Sequence, residues 1–230
     1  MEISLEGDPF SALLFREPYK GEIITLKDAS GKEFRGRIVE LQQGRASVYI
    51  FEKLREPTDP PFSVFLFQAL PDKERIELII QKGTELGVKV IVPFKSRHSI
   101  SLEEREASQP KAHRWQHIAI KATKQCRRAS VPYVAPYCSF EEALEIARPL
   151  ELKILLLEKE RERFSSSLRS LPLPKSIALM VGSEGGWDDE EVKRAKAVGF
   201  ATVGLGGKIL RTETAAIAAC AILQYEWGGL

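Results

Sequence analysis

The sequence predicts an α/β fold, a domain built on a mostly parallel sheet, preceded by a small β-rich module. Three observations carry this expectation. The runs Val64–Leu70, Lys153–Glu158 and Ser176–Val181 are apolar almost throughout, as strands buried on both faces of a parallel sheet are. Amphipathic helical patterns alternate with these runs from residue 61 onward. Ahead of them, short strand candidates follow one another with only turns between.

In the N-terminal module, Glu22–Lys27 reads as a strand, Asp28-Ala29-Ser30-Gly31 as a turn and Glu33–Leu41 as the next strand. Gln42-Gln43-Gly44 then turns the chain into Arg45–Phe51. Pro57-Thr58-Asp59-Pro60-Pro61 is a stiff, extended break, because each proline removes an amide donor and restricts the residue before it. The domain boundary falls there, dividing residues 1–60 from residues 61–230.

After the break, Asp72 caps a helix that turns Ile76, Ile79, Ile80, Thr84 and Leu86 toward a core and stops at Gly87. Val88–Phe94 is a strand. A longer helix, Lys111–Cys126, carries Trp115, Ile118, Ala119 and Ala122 at helical spacing. Ser139 and Glu142 form a capping box for a short helix ending near Ala147. Asp188 caps another, through about Val198, with Glu190 and Glu191 near its positive end and Gly199 after it. Ala201–Gly204 is the last strand. The final helix, Thr212–Trp227, is apolar on nearly every side, so the core or another subunit must cover it.

Composition narrows the function classes. With 230 residues and 43% hydrophobic content, the chain has ample material for a packed core. Cys126, Cys138 and Cys220 are widely spaced and contain no C-x-x-C pair, which argues against a disulfide framework or structural zinc and for a reducing cytoplasm. The N-terminus lacks a signal-peptide pattern and no apolar run reaches membrane-span length, so a cytoplasmic protein without membrane association is expected. The net charge is +2, but residues 71–135 hold thirteen Lys and Arg against seven Asp and Glu. That excess is either an electrostatic footprint for nucleic acid or a set of solvated helix faces.

Two glycine-rich loops follow apolar strands: Gly182-Ser183-Glu184-Gly185-Gly186-Trp187 and Leu205-Gly206-Gly207-Lys208-Ile209-Leu210-Arg211-Thr212-Glu213-Thr214-Ala215. A P-loop needs a glycine five residues before the Gly-Lys pair and a hydroxyl after it; Thr202 and Ile209 stand there. A dinucleotide fingerprint fails as well, because Ile209 occupies the place of the third glycine. What remains is either a pair of ordinary turns or one pocket between two loops. Such a pocket suits a small polar cofactor whose adenine lies among Leu205, Ile209 and Leu210.

The two loops, the first continuing to Glu190-Glu191, closely resemble the signature motifs of the bacterial 16S ribosomal RNA uridine N3-methyltransferase family, a branch of the SPOUT methyltransferases. The resemblance extends to Asp72-Lys73 with Arg75 and Glu77, to Ile79-Ile80-Gln81-Lys82-Gly83-Thr84-Glu85-Leu86-Gly87-Val88, to Arg114-Trp115 with Ile118-Ala119, and to Gln125. It departs at Ser183, where the family has proline, and in the N-terminal segment Ala12-Leu13-Leu14-Phe15-Arg16, a loose match to the family's Val-Leu-Arg.

The resemblance implies a C-terminal trefoil-knot domain that binds S-adenosylmethionine and forms a homodimer, a PUA-like β-barrel in residues 1–60 that helps hold RNA, and methylation of N3 of a uridine in 16S ribosomal RNA, free or in the assembled small subunit. A transfer RNA substrate and a non-catalytic ribosome-assembly role are the alternatives. Cofactor binding falls to Leu157, Glu158, Gly182, Glu184, Gly185, Gly186, Leu205, Gly206, Ile209, Leu210, Arg211, Thr212, Thr214 and Ala215. Arg211 is the candidate for stabilising the anionic base or gripping a phosphate, unless it pairs with Glu184 or Glu213. Glu213 either accepts a proton or holds the start of the last helix. Candidate RNA contacts are Arg16, Arg35, Arg37, Arg97, Arg114, Lys121, Lys124, Arg127 and Arg128. Attack at nitrogen needs no covalent adduct, so Cys126 is read as filler, and His98, His113 and His117 are not spaced as a metal triad. No metal is expected.

Overall fold

A computed structural model describes residues 1–103, 114–160, 164, 168 and 171–229. The chain divides into two units: Met1–Asp59 with Ile120–Val131, and Pro60–Ala119 with Pro132–Leu230.

The first unit holds β1 (Glu2–Glu6), α1 (Gly7–Leu14), β2 (Ile23–Lys27), β3 (Glu33–Gln42) and β4 (Arg45–Lys53). The strands form an antiparallel sheet in the order β1-β4-β3-β2. Period-2 alternation puts Ile24, Ile38, Ala46 and Val48 on one face, where Phe10 and Leu13 of α1 cover them. β2, β3 and β4 lie where the sequence expects strands. β1 and α1 are additions: Ile3 and Leu5 alternate with charged or polar neighbours, while the Glu6 side chain makes no capping bond to α1.

A polar layer ties the segment 120–131 to this unit. Arg16 donates through Nη1 to the carbonyls of Arg128 and Ala129, both at 3.2 Å. Thr25 donates to the carbonyl of Arg127 at 2.7 Å, and Arg128 Nε lies 2.8 Å from Asp59 Oδ1. Thr58 donates through its amide and hydroxyl to Glu33 Oε2.

The second unit is an α/β layer structure. Its sheet contains β5 (Ser63–Ala69), β6 (Val90–Lys95), β7 (Tyr133–Val134), β8 (Cys138–Ser139), β9 (Leu152–Leu156), β10 (Ser176–Val181) and β11 (Ala201–Val203). The order is β11-β9-β10-β5-β6-β7, with β8 also on β6, and each of these pairings is parallel. The helices are α2 (Lys73–Glu85), α3 (Trp115–Cys126, whose residues from Ile120 belong to the first unit), α4 (Phe140–Ala147), α5 (Asp189–Ala197) and α6 (Thr212–Glu226).

Alternation along the central strands builds a core on each face. Val64, Leu66, Leu179 and Ile154 meet Ile76, Ile79 and Ile80 of α2, Trp115 of α3, and Ala219 and Leu223 of α6. Phe67, Ala178, Met180 and Leu155 meet Phe140 and Leu144 of α4 and Ala195 of α5. Both faces of β5 and β10 are therefore covered, which explains their unbroken apolar sequences.

The local signals act as expected. Asp72 accepts the Arg75 amide at 3.0 Å, and Ser139 and Asp188 each form a complete capping box with Glu142 and Glu191. The helices end at Gly87 and Gly199, both with positive φ. α3 is described from Trp115; its expected first turn, from Lys111, and His113 lie outside the described residues.

Candidate functional site

β9, β10 and β11 are adjacent and parallel, so the loops after them emerge at one sheet edge, the carboxyl ends of the strands. There the two glycine loops and the first turn of α6 enclose a cavity of about 310 Å³, within the ordinary range for small-molecule sites. The apolar part of its wall includes Leu156, Leu157, Val181, Leu205, Ile209 and Leu210; the polar part includes Arg75, Glu158, Ser183, Glu184, Lys208 and Arg211.

Each wall is held by an identifiable bond. Thr212, at the start of α6, donates to the Gly182 carbonyl at 2.5 Å and accepts from Gln68 Nε2 at 3.0 Å. Gln68 is fully buried at the end of β5, so β5, the first glycine loop and α6 are joined through one hydroxyl. Trp187 donates from Nε1 to the Leu156 carbonyl at 2.8 Å and stacks on Phe94. Its indole lies so close to Gly182 that a Cβ there would come within 3.2 Å of the ring, which accounts for glycine at that position. Gly206, at φ +108°, occupies backbone space that other residues seldom adopt.

A charged cluster closes one side. Arg75 Nη1 is 2.5 Å from Glu184 Oε1, while Arg75 Nε is 3.1 Å from Asp72 Oδ2 and 3.7 Å from Glu213 Oε2. Desolvation pulls the guanidinium pKa down, but Asp72, Glu184 and Glu213 outweigh it, and the group is held above its ordinary value. Arg75 thus takes both carboxylates that sequence reasoning considers as partners for Arg211. Arg211 itself is exposed on the cavity wall at the N-cap position of α6, and among the described residues no ion pair reaches its guanidinium.

Of the expected cofactor residues, Leu157, Glu158, Gly182, Glu184, Gly186, Leu205, Gly206, Ile209, Leu210, Arg211, Thr212 and Ala215 line the cavity; Gly185 and Thr214 do not. Gly185 instead packs against His98, whose Nδ1 donates to the Gly185 carbonyl at 3.1 Å. Glu213 is not a wall residue, and its side chain turns to Arg75. Arg75, Leu156, Val181, Ser183, Trp187 and Lys208 also line the cavity and are not among the expected cofactor residues. Ser183 and Trp187 belong to the first loop's motif and Arg75 to the resembling α2 segment, which was the available signal.

The expected RNA contacts separate by burial. Arg37, Arg97, Arg114, Lys121 and Arg127 are exposed, with Arg97 Nη1 3.4 Å from Asp188. Arg16 and Arg128 are buried, 6% and 4% exposed, and their internal bonds turn them away from solvent, which corrects their reading as surface contacts. Burial also lowers the Arg16 pKa. Arg35 is mostly covered beside Glu52, and Lys124 is held 3.3 Å from Glu22 and over the Tyr19 ring.

The RNA methyltransferase domain family matches residues 58–224, most of the chain. The chain belongs to this family. It is 31% identical to ribosomal RNA small subunit methyltransferase E of Bacillus subtilis over 90% of this chain and 83% of that protein. It is 34% identical to the protein of the same name from Synechocystis, over 88% of this chain and 65% of that one. Among solved structures, it superposes with TM-score 0.71 and 32% identity on ribosomal RNA small subunit methyltransferase E of Neisseria gonorrhoeae bound to S-adenosylmethionine, covering 99% of this chain and 92% of the other. Among the described residues no helix is long and apolar enough to cross a membrane, and no group of three or more His, Cys, Asp or Glu is placed to hold a metal ion.

Proposed function

We propose that this chain is an S-adenosylmethionine-dependent methyltransferase that modifies N3 of a uridine in 16S ribosomal RNA. The observation that carries the reading is the cavity between the two glycine loops, in a chain 32% identical to a methyltransferase solved with that cofactor. The residues present fit the cofactor. Leu205, Ile209 and Leu210 offer an apolar seat for adenine, and Glu158 offers a carboxylate for hydroxyl groups. The Ser183 hydroxyl is buried in the wall with no hydrogen-bond partner among the described residues, a polar atom suited to a ligand.

Bound S-adenosylmethionine supplies a methyl group activated by a sulfonium. The chain's own work is positioning and charge stabilisation. Arg211, exposed on the wall and unpaired among the described residues, stabilises in this reading the negative charge left on the uridine as its N3 proton passes to solvent and N3 takes the methyl group. The backbone of the glycine loops and the Thr212 bond hold the wall in place. Glu213 supports the start of α6 through Arg75.

In the same reading, the second unit is the SPOUT trefoil-knot domain and works as a homodimer. α6 supports this: Ile217, Ala218, Ala221 and Ile222 are only half-buried, while Tyr225 is exposed. The antiparallel sheet of the first unit is the PUA-like barrel, and exposed Arg37, Lys121 and Arg127 give it cationic contacts for RNA. The first unit, residues 1–59 with 120–131, and the second, made of the remaining residues, are the two functional domains, and the protein acts in the cytoplasm.

Two measurements test this. Ligand at 100 times its dissociation constant adds about 2.7 kcal/mol of stability, read as a rise of the melting temperature by roughly 5–10 °C. Arg211→Ala, with folding retained, lowers methylation of 16S RNA by about 100-fold or more. A folded Arg211→Ala protein with undiminished methylation overturns the role given to Arg211; no ligand-induced shift in the wild type favours the scaffold reading instead.

A further inference from the structure

Three carboxylates from three separate elements converge on Arg75: Asp72 ahead of α2, Glu184 of the first glycine loop and Glu213 of the first turn of α6. Local propensity does not explain an arginine there. Arg75 stands in the first turn of α2, where the helix dipole disfavours a cation. Its surroundings do explain it. Without the guanidinium, the Glu184 loop and the start of α6 would bring like charges together beside the cavity, with Asp72 adding a third. With it, both of these wall segments are fastened to α2, a helix packed into the core through Ile76, Ile79 and Ile80.

We propose that Arg75 is a positioning residue of this site, one that sets the spacing between the first glycine loop and α6 by hydrogen-bonding Glu184 while holding Glu213 in an ion pair 3.7 Å away. The inference rests on the cofactor-binding reading given above. Arginine suits the task because its planar fork presents several donors in fixed directions, whereas lysine is a single point charge. A fixed spacing serves any ligand that fills the cavity, whatever the charge at its sulfur.

The test is isothermal titration of S-adenosylmethionine and of S-adenosylhomocysteine, its uncharged thioether counterpart, into wild type, Arg75→Lys and Arg75→Gln, with thermal melts alongside. In Arg75→Gln both dissociation constants rise by about tenfold, a loss of about 1.4 kcal/mol, and Arg75→Lys falls between it and wild type. Unchanged constants with a lowered melting temperature would show a purely structural residue and overturn the proposal. Opposite changes for the two ligands would also overturn it, since they report charge rather than spacing. Should Arg75→Gln fail to fold, Asp72→Asn loosens Arg75 while keeping a competent helix cap. Weaker binding of both ligands by Asp72→Asn supports the proposal, and unchanged binding overturns it. A wild type that binds neither ligand overturns the cofactor reading itself, a result separable from failure of the Arg75 variants alone.

Discussion

Gly206 and Gly207 are neighbours in one loop, and a Cβ added to either meets nothing within 4 Å. They differ in backbone: Gly206 has φ +108°, and Gly207 lies outside the positive-φ region. Substitution by alanine therefore isolates conformational strain from steric contact. Gly206→Ala forces a side chain into a sparsely populated region, at about 1–3 kcal/mol, whereas Gly207→Ala carries no such term. The strain has two outlets. If the loop keeps its shape, the melting temperature falls by roughly 2–12 °C for a chain of this size. If the loop relaxes away from the cavity it lines, ligand binding must restore it, and the dissociation constant for S-adenosylmethionine rises by about 5- to 150-fold over the same energy range. Thermal melts and titration calorimetry on both variants measure the two outlets together. Equal behaviour of Gly206→Ala and Gly207→Ala in both assays would refute the reasoning.

Two more expectations concern stability. Asp59→Ala leaves the buried Arg128 without its 2.8 Å carboxylate partner and costs about 2–4 kcal/mol, below the full penalty for a buried pair because Asp59 is partly exposed; urea unfolding checks it, with Asp59→Asn losing less because its amide oxygen still accepts from Arg128. Burial pushes the Cys220 thiol from its ordinary 9.0 up to about 12. The folded state then keeps a proton that the unfolded chain releases, so Cys220 contributes stability that is whole below pH 9 and drains away between pH 9 and 12. Chemical denaturation across that window should show a shallower decline in Cys220→Ala than in wild type.

The sequence by itself determined what depends on near neighbours. Asp72, Ser139 and Asp188 cap their helices because an N-cap oxygen needs only amides two or three residues on. The apolar runs of β5, β9 and β10 announced strands buried on both sides, and the two glycine motifs marked the loops that enclose the cavity. β1 and α1 escaped because two apolar residues in a five-residue strand and a helix without a side-chain cap are weak signals, while β7 and β8 are only two residues long. Tertiary structure alone decided the rest. Arg16 and Arg128 look like surface cations in the sequence, but carbonyls and carboxylates distant in the chain hold them inside. Arg75 lies more than a hundred residues from Glu184 and Glu213, and only the parallel order β9-β10-β5 brings α2, the first glycine loop and α6 to one edge. Hydrogen bonds and ion pairs act over a few ångströms whatever the separation along the chain, so the partners of a charged side chain are a property of the fold.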